Sequence, residues 1–257
     1  MQFQPLVDLL EEEEGNDAIA SRTRSHKVLS VDESLDEEDE MMKEECLDEE
    51  ISVHVVEVPV KEHGKPEVIE AKAAEIKNLE SFGTFEEVAD VGQSTIGSRW
   101  IITRKEAHDN QKKKCKGRIV ARGFQEQQKP QSDSPTVLRA SVKTFVAVAA
   151  NEGFEICSID ITGAFLQAED LDREVFVKPP VDIRKDWVIW RLKKPLYGLD
   201  DSSRKFYIRV KKMFINLGFE VLEGDAAYFY IMKEGKLYGQ ISTHVDDFNM
   251  AGEKTFI

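Results

Sequence analysis

The chain has 257 residues, 41% hydrophobic and 33% charged, with a formal net charge of -14, a length that suits one large domain or two small ones. It holds no apolar run near the roughly 18 residues a membrane helix needs, and its start, Met1 to Glu14, lacks the basic opening and small-residue cleavage site of a secretory signal. The charge is unevenly spread: residues 1–90 hold 27 acids against 8 bases, residues 91–257 hold 22 against 27, and the resulting +5 of the second part permits a polyanionic partner without proving one.

In chain order, residues 1–64 read as an acidic disordered linker. Glu11 to Glu14 is a run of four acids, and Asp32 to Glu50 is acidic at most positions. Like charges in such blocks repel and bury too little apolar surface to offset chain entropy. A recruitment tail is the alternative use of the same segment, and Ile51 to Val60 adds at most an isolated strand. Three separated cysteines, Cys46, Cys115 and Cys157, argue against a disulfide framework or a structural zinc site, and for a reducing compartment.

Order begins near Pro66, which opens a helix with Glu67 beside its positive end and runs to Ser81-Phe82-Gly83. Ser98 to Thr103 and Gly117 to Ala121 form a hairpin whose long tip carries Lys112, Lys113 and Lys114. Thr136 caps a helix bearing Val142, Phe145, Val148 and Ala149 and ending at Gly153. Glu155 to Ile161 is a strand, followed by a short helical stretch at Ala164 to Gln167. Val175 to Val177 and Val188 to Leu192 are further strands. Ser202 to Leu217 is an amphipathic helix with Phe206, Val210, Met213, Phe214 and Leu217 on one face. Ala226 to Met232 and Leu237 to Thr243 flank a turn, and Phe248 to Ala251 closes the order. Strands and helices mix without strict alternation, so the class is α+β.

Two places set acids among apolar neighbours: Asp160 in Ser158-Ile159-Asp160-Ile161, and the pair in Val245-Asp246-Asp247-Phe248. Buried carboxylates are expensive unless paired or bound to a cation. Two-metal nucleotidyl transfer uses such an inventory, with oxygen ligands holding two Mg²⁺ about 3.5–4 Å apart. Taken alone, the Val-Asp-Asp-Phe stretch is also an ordinary strand end.

Four blocks taken together carry more: Lys116 to Gln125 (KGRIVARGFQ), Ser158 to Gln167 (SIDITGAFLQ), Leu196-Tyr197-Gly198-Leu199, and His244-Val245-Asp246-Asp247. In this order, and with Trp100, Pro179-Pro180 and Arg204-Lys205-Phe206-Tyr207 included in the match, the chain from about Glu70 onward resembles the reverse transcriptase of copia-type LTR retrotransposons. The resemblance implies a right-hand polymerase, with residues 65–257 forming fingers (about 95–150) and palm (about 151–257). It implies an RNA-directed DNA polymerase that uses two Mg²⁺ or Mn²⁺ ions, a template–primer of RNA and DNA, and dNTPs, inside the cell in a cytoplasmic particle or nucleus, with no membrane. Asp160 and Asp246 match the main catalytic metal ligands, with Asp247 assisting. Phe165 matches the aromatic set against the incoming sugar, where a ring would collide with a ribose 2′-hydroxyl; plain core packing is its other reading. Lys116, Arg118 and Arg122 fall on one face of a candidate fingers strand, where guanidinium and ammonium groups suit a triphosphate. Lys112, Lys113 and Lys114 are candidates for template-backbone contact.

Departures from the family pattern accompany the match. Asp200-Asp201-Ser202-Ser203 stands where Lys-Gln-Ala-Pro is commoner, which removes a glutamine from the nucleotide pocket and makes Asp201 a helix N-cap. His244 replaces the usual tyrosine and is a candidate neighbour of the primer end. Only ten residues follow Asp247, so the expectation is a palm truncated at its C-terminal side, without thumb or RNase H. A catalytically inactive remnant that still binds nucleic acid is the alternative function, and oligomeric state is not legible.

Overall fold

The computed structural model describes residues 55–105 and 115–256, together with the backbone of Ser21–Ser25. In chain order the elements are β1 (Ser21–Ser25), β2 (Val55–Glu57), α1 (Pro66–Ser81), β3 (Phe85–Ala89), β4 (Ile96–Lys105), β5 (Cys115–Ala121), α2 (Arg139–Glu152), β6 (Glu155–Ile161), β7 (Phe176–Lys178), β8 (Val188–Leu192), α3 (Ser202–Asn216), β9 (Glu220–Leu222), β10 (Asp225–Lys233), β11 (Lys236–His244) and β12 (Asp247–Gly252). The result is a mixed α and β chain with two sheets. Among the described residues no helix is long and apolar enough to cross a membrane.

One sheet runs β1-β6-β12-β11-β10-β9, antiparallel throughout. Its strands alternate side chains between two faces, and the clusters follow that alternation. On one face Phe206 of α3 stacks on Phe248, and Phe214 meets Phe229 edge-on and Phe248 at a tilt. On the other, Phe145 and Ala149 of α2 pack on Tyr228 and Ala251. Burying ring-sized side chains on both faces is worth about 2–3 kcal/mol each, so the sheet that carries the acids is rigidly backed.

The second sheet runs β2-β4-β7-β8-β3, with β5 paired to β4 as a long hairpin. Its core gathers Val68, Leu79, Ile102, Ile119, Val177, Trp190 and Leu196. Helix α1 starts at Pro66 and ends at Ser81, as its proline and its Phe82-Gly83 stop dictate.

Several local expectations are corrected. Val55–Glu57 is not isolated, since it pairs antiparallel with Thr103 to Lys105 of β4. Thr136 does not cap α2: the helix begins at Arg139 after Leu138, with no side-chain cap. The segment before it stays extended because Val137 N–H donates to the Thr243 carbonyl (3.0 Å) and Leu138 N–H to the buried Asp225 carboxylate (2.9 Å). Tertiary partners thus outbid the local cap. Asp201 stands at the N-cap position of α3, yet its side chain caps nothing; Arg173 takes it instead. Cys115 and Cys157 are free and buried, and burial pushes the Cys157 thiol up to about 11, which makes it unreactive at neutral pH. The acidic blocks and Cys46 lie outside the described residues.

Candidate active site

The acids meet because β6 and β12 are neighbours. Asp160, near the end of β6, is directly opposite Asp247, the first residue of β12. Residues in direct register on adjacent strands share a face, and like charges so placed destabilise unless something offsets them. Asp246 sits between β11 and β12 in a two-residue turn closed by the pairing of His244 with Asp247. Val245, the other turn residue, has φ of 59°. A β-branched residue in the left-handed region costs about 1–3 kcal/mol, so the tip is held in a strained form by the strands it joins. Ile161 N–H donates to the Asp246 carbonyl at 3.0 Å, fixing the tip to β6.

Electrostatics shows the same convergence. Burial raises the Asp246 carboxyl above the ordinary aspartate value, the charges of Asp247 and Asp160 raise it further, and its own backbone N–H and Arg118 pull it down. The proton therefore binds the folded chain more tightly than the unfolded one. Asp246 costs no stability below the unfolded value of 3.8, and its charge penalises the fold once pH rises through the elevated value. Asp246→Asn is accordingly expected to be more stable than the parent at neutral pH, with the difference vanishing as pH falls below about 4; denaturant unfolding over a pH series checks this. A variant no more stable at neutral pH would mean that neither burial nor the neighbouring acids burdens this carboxylate.

Hard carboxylate oxygens under mutual repulsion fit a divalent cation by their chemistry. Among the described residues, however, no three His, Cys, Asp or Glu side chains are gathered closely enough to form a ready-made cage. Asp160 and Asp247 are exposed and Asp246 half-buried, so all three are open to solvent ions.

Beside the acids stand side chains carried by β5 of the second sheet and by the turn that follows β8. On β5 the burial alternates, with Lys116 and Arg118 on the accessible side. Arg118 lies 5.7 Å from the Tyr197 ring centroid, within cation–π range, and its charge acts on Asp246. Tyr197 in turn is 5.2 Å from the Phe165 ring. The turn holding Tyr197 is sewn to the end of β5: Ala121 N–H donates to the Tyr197 carbonyl (2.7 Å) and Gly123 N–H to the Gly198 carbonyl (3.1 Å). Gly198 has φ of 89°, and a Cβ there would strike the Ala121 carbonyl, so only glycine permits this crossing.

Of the residues singled out in the sequence, Asp160, Asp246, Asp247, Arg118 and Phe165 come together in this way, and His244 joins them by register. Lys116 shares the Arg118 face, but its charge is felt at Glu75. Arg122 is exposed, its stem lying across Gly97, and no contact ties it to the acids. Lys112, Lys113 and Lys114 lie outside the described residues. Two members of the cluster were not singled out: Tyr197, present in a motif block but given no role, and Glu75 of α1.

Residues 85–257 match the family model described as reverse transcriptase (RNA-dependent DNA polymerase), and the chain belongs to that family. Its relatives are Pol polyproteins of copia-type retrotransposons. It is 30% identical over 164 residues to the retrovirus-related Pol polyprotein from transposon RE1 of Arabidopsis thaliana, an overlap of 61% of this chain and 11% of that protein. To the polyprotein from transposon RE2 of the same plant it is 29% identical over 169 residues, 63% of this chain and 11% of the other. To that from transposon TNT 1-94 of Nicotiana tabacum it is 24% identical over 196 residues, 74% and 15% respectively. The chain thus spans about a tenth of the length of the first two.

Proposed function

We propose that this chain carries the nucleotide-adding centre of an RNA-directed DNA polymerase, with the sheet that holds Asp160 and Asp247 as palm and the β4–β5 hairpin as part of the fingers. The observation that carries the reading is Asp160 in direct register with Asp247, with Asp246 at the intervening tip. In the reaction, the primer 3′-oxygen bonds to the α-phosphorus of a dNTP, the bond to the bridging oxygen breaks so that pyrophosphate leaves, and the hydroxyl proton passes to solvent water. Asp160 and Asp246, assisted by Asp247, would hold two divalent cations, whose chemistry is to activate the attacking oxygen and neutralise the leaving pyrophosphate. Arg118 supplies a guanidinium for the triphosphate oxygens, with Lys116 two residues before it on the same strand face and Arg122 just past the end of β5. Tyr197 and Phe165 form the apolar wall beside the sugar and base. Primer extension on an RNA template with dNTPs and Mg²⁺ or Mn²⁺ tests the reading. Extension by this chain, or by it joined to the sequence that follows in its relatives, supports it; neither extending, though folded, refutes it.

Phe165 carries a specificity prediction. Its ring is partly buried against the α3 core and leans on Tyr197, so replacing it with valine opens space at the sugar position. Phe165→Val is expected to raise the ratio of ribonucleotide to deoxyribonucleotide incorporation by about a hundred-fold, measured by single-nucleotide addition. An unchanged ratio in a folded variant would assign the ring to packing alone.

A second reading draws on the lack of a ready-made cage among the described acids: binding of template–primer through the basic face, with no synthesis. Salt-sensitive binding without incorporation would select it.

A further inference from the structure

Helix α1 lies before residues 85–257, the part matched by the family model, yet the charge of one of its residues, Glu75, acts on Arg118 and Tyr197. Its buried stripe is Val68, Ala71, Glu75 and Leu79, so a carboxylate occupies a position where the helical pattern calls for an apolar side chain. Glu75 is 7% exposed. The helix packs closely on β5: a Cβ on Gly117 would lie 3.0 Å from the Ala71 carbonyl oxygen. Through that contact the Ile119 N–H donates to Glu75 Oε1 at 3.4 Å.

A buried acid is a poor way to gain stability, because desolvation consumes most of what its partners return. Here burial pushes the Glu75 carboxyl up, while the Ile119 N–H, Arg118, Lys116 and Asn78 draw it down. The cations are the same ones that face the candidate pocket. The Glu75 charge also reaches Tyr197, as does that of Asp246. Arg118 thus stands in the field of two carboxylates, Glu75 and Asp246, with the Tyr197 ring beneath it.

We propose that Glu75 is a positioning residue for Arg118: it fixes β5 through Ile119 and gives the guanidinium a second carboxylate, which keeps it over Tyr197 and directed at an incoming triphosphate. Without Glu75, the pull of Asp246 on Arg118 is no longer balanced by a second carboxylate, and the guanidinium is drawn off the Tyr197 ring toward the acids. This rests on the reading of the chain as a dNTP-using enzyme.

The test measures binding of a fluorescent dTTP analogue to the full chain with template–primer and Ca²⁺, alongside KM and kcat for dTTP in primer extension. Glu75→Gln keeps the shape and an acceptor for Ile119 but loses the charge. It is expected to weaken dTTP binding and raise KM by about 10-fold, the size of one coupled charge interaction, with kcat and template–primer affinity within about twofold. Glu75→Asp, which keeps the charge, is expected to recover part of the loss. In the double variant with Arg118→Ala the Glu75→Gln effect should disappear, because its target is gone. A folded Glu75→Gln chain with unchanged dTTP binding, or an undiminished effect in the Arg118→Ala background, overturns the positioning role and leaves the polymerase reading intact. A parent chain that neither binds nor incorporates dTTP overturns that reading, and this proposal falls with it. Glu75→Ala also orphans the Ile119 N–H, so its melting midpoint separates structural damage from mispositioning.

Discussion

Asparagine at position 160 or 246 is expected to lower nucleotide incorporation by about a thousand-fold or more, with template–primer affinity within about twofold. Each substitution keeps the side-chain volume and removes the charge. Stabilising the charge that develops at the reacting phosphate is worth several kcal/mol, and each 1.36 kcal/mol is about tenfold in rate. The two positions act from different settings. Asp160 is exposed on β6, whereas Asp246 is half-buried in a strained tip, where burial and its two acidic neighbours raise its carboxyl. Asp247→Asn ranks the third acid. The family resemblance gives it an assisting part and a loss of about tenfold, while its register opposite Asp160 sets it beside that residue on the same face of the sheet. A loss as large as that of Asp160→Asn would make it a principal ligand. Single-turnover extension by variants of equal melting midpoint reads all three. Full activity in Asp160→Asn would remove the acids from the chemistry.

How much of this was visible in the sequence depends on the range of the forces involved. Helix α1 was legible because Pro66 and Phe82-Gly83 mark its ends locally, and α3 because five apolar residues recur on one face. The β10–β11 hairpin was legible from apolar runs flanking a short polar turn, and the β11–β12 hairpin from its motif block. The meeting of Asp160 with Asp246 and Asp247 had a different source. Neither spacing nor composition dictates that β6 lies beside β12; the order of four motif blocks did. Glu75 was overlooked although it carries a readable signal, an acid four residues after Ala71 and four before Leu79 on the apolar stripe. Thr136 misled because a side-chain cap competes with partners more than 80 residues away in sequence, and those partners prevailed.

Tyr197 shows what a motif alone leaves out. Its block was recognised, but its role follows from contacts with Arg118 on one side and Phe165 on the other, which are far from it in the chain. Those contacts exist because two glycines, Gly123 and Gly198, let the end of β5 and the Tyr197 turn approach backbone to backbone. The cluster is a consequence of the close crossing between the end of β5 and the Tyr197 turn, and its energetics resides where that crossing is clamped.

The clamp is Arg173, and Arg173→Ala is expected to cost about 3–5 kcal/mol of stability. The guanidinium forks between two carboxylates: Nε and Nη2 reach Glu126 at 2.9 and 3.1 Å, and Nη1 and Nη2 reach Asp201 at 2.5 and 3.1 Å. Burial alone would favour the neutral guanidine, but the hydrogen bonds to Glu126 and Asp201 more than offset it and hold Arg173 charged. Glu126 follows β5 and Asp201 precedes α3, so one side chain joins the two segments that frame the Tyr197 turn. The Asp201 side chain is 2% exposed, and removing Arg173 strands that charge without solvent. The exposed pair Lys129–Asp200 beside it, at 2.9 Å, contributes at most about 1 kcal/mol. Arg173→Lys should fall between parent and alanine, because one ammonium cannot serve two planar carboxylates at once. Combining Arg173→Met with Glu126→Gln and Asp201→Asn should restore much of the loss by removing the stranded charges with their partner. Urea unfolding at neutral pH measures all of these. An alanine variant within about 1 kcal/mol of the parent would show that the buried network is idle and that backbone pairing alone holds the Tyr197 turn against β5.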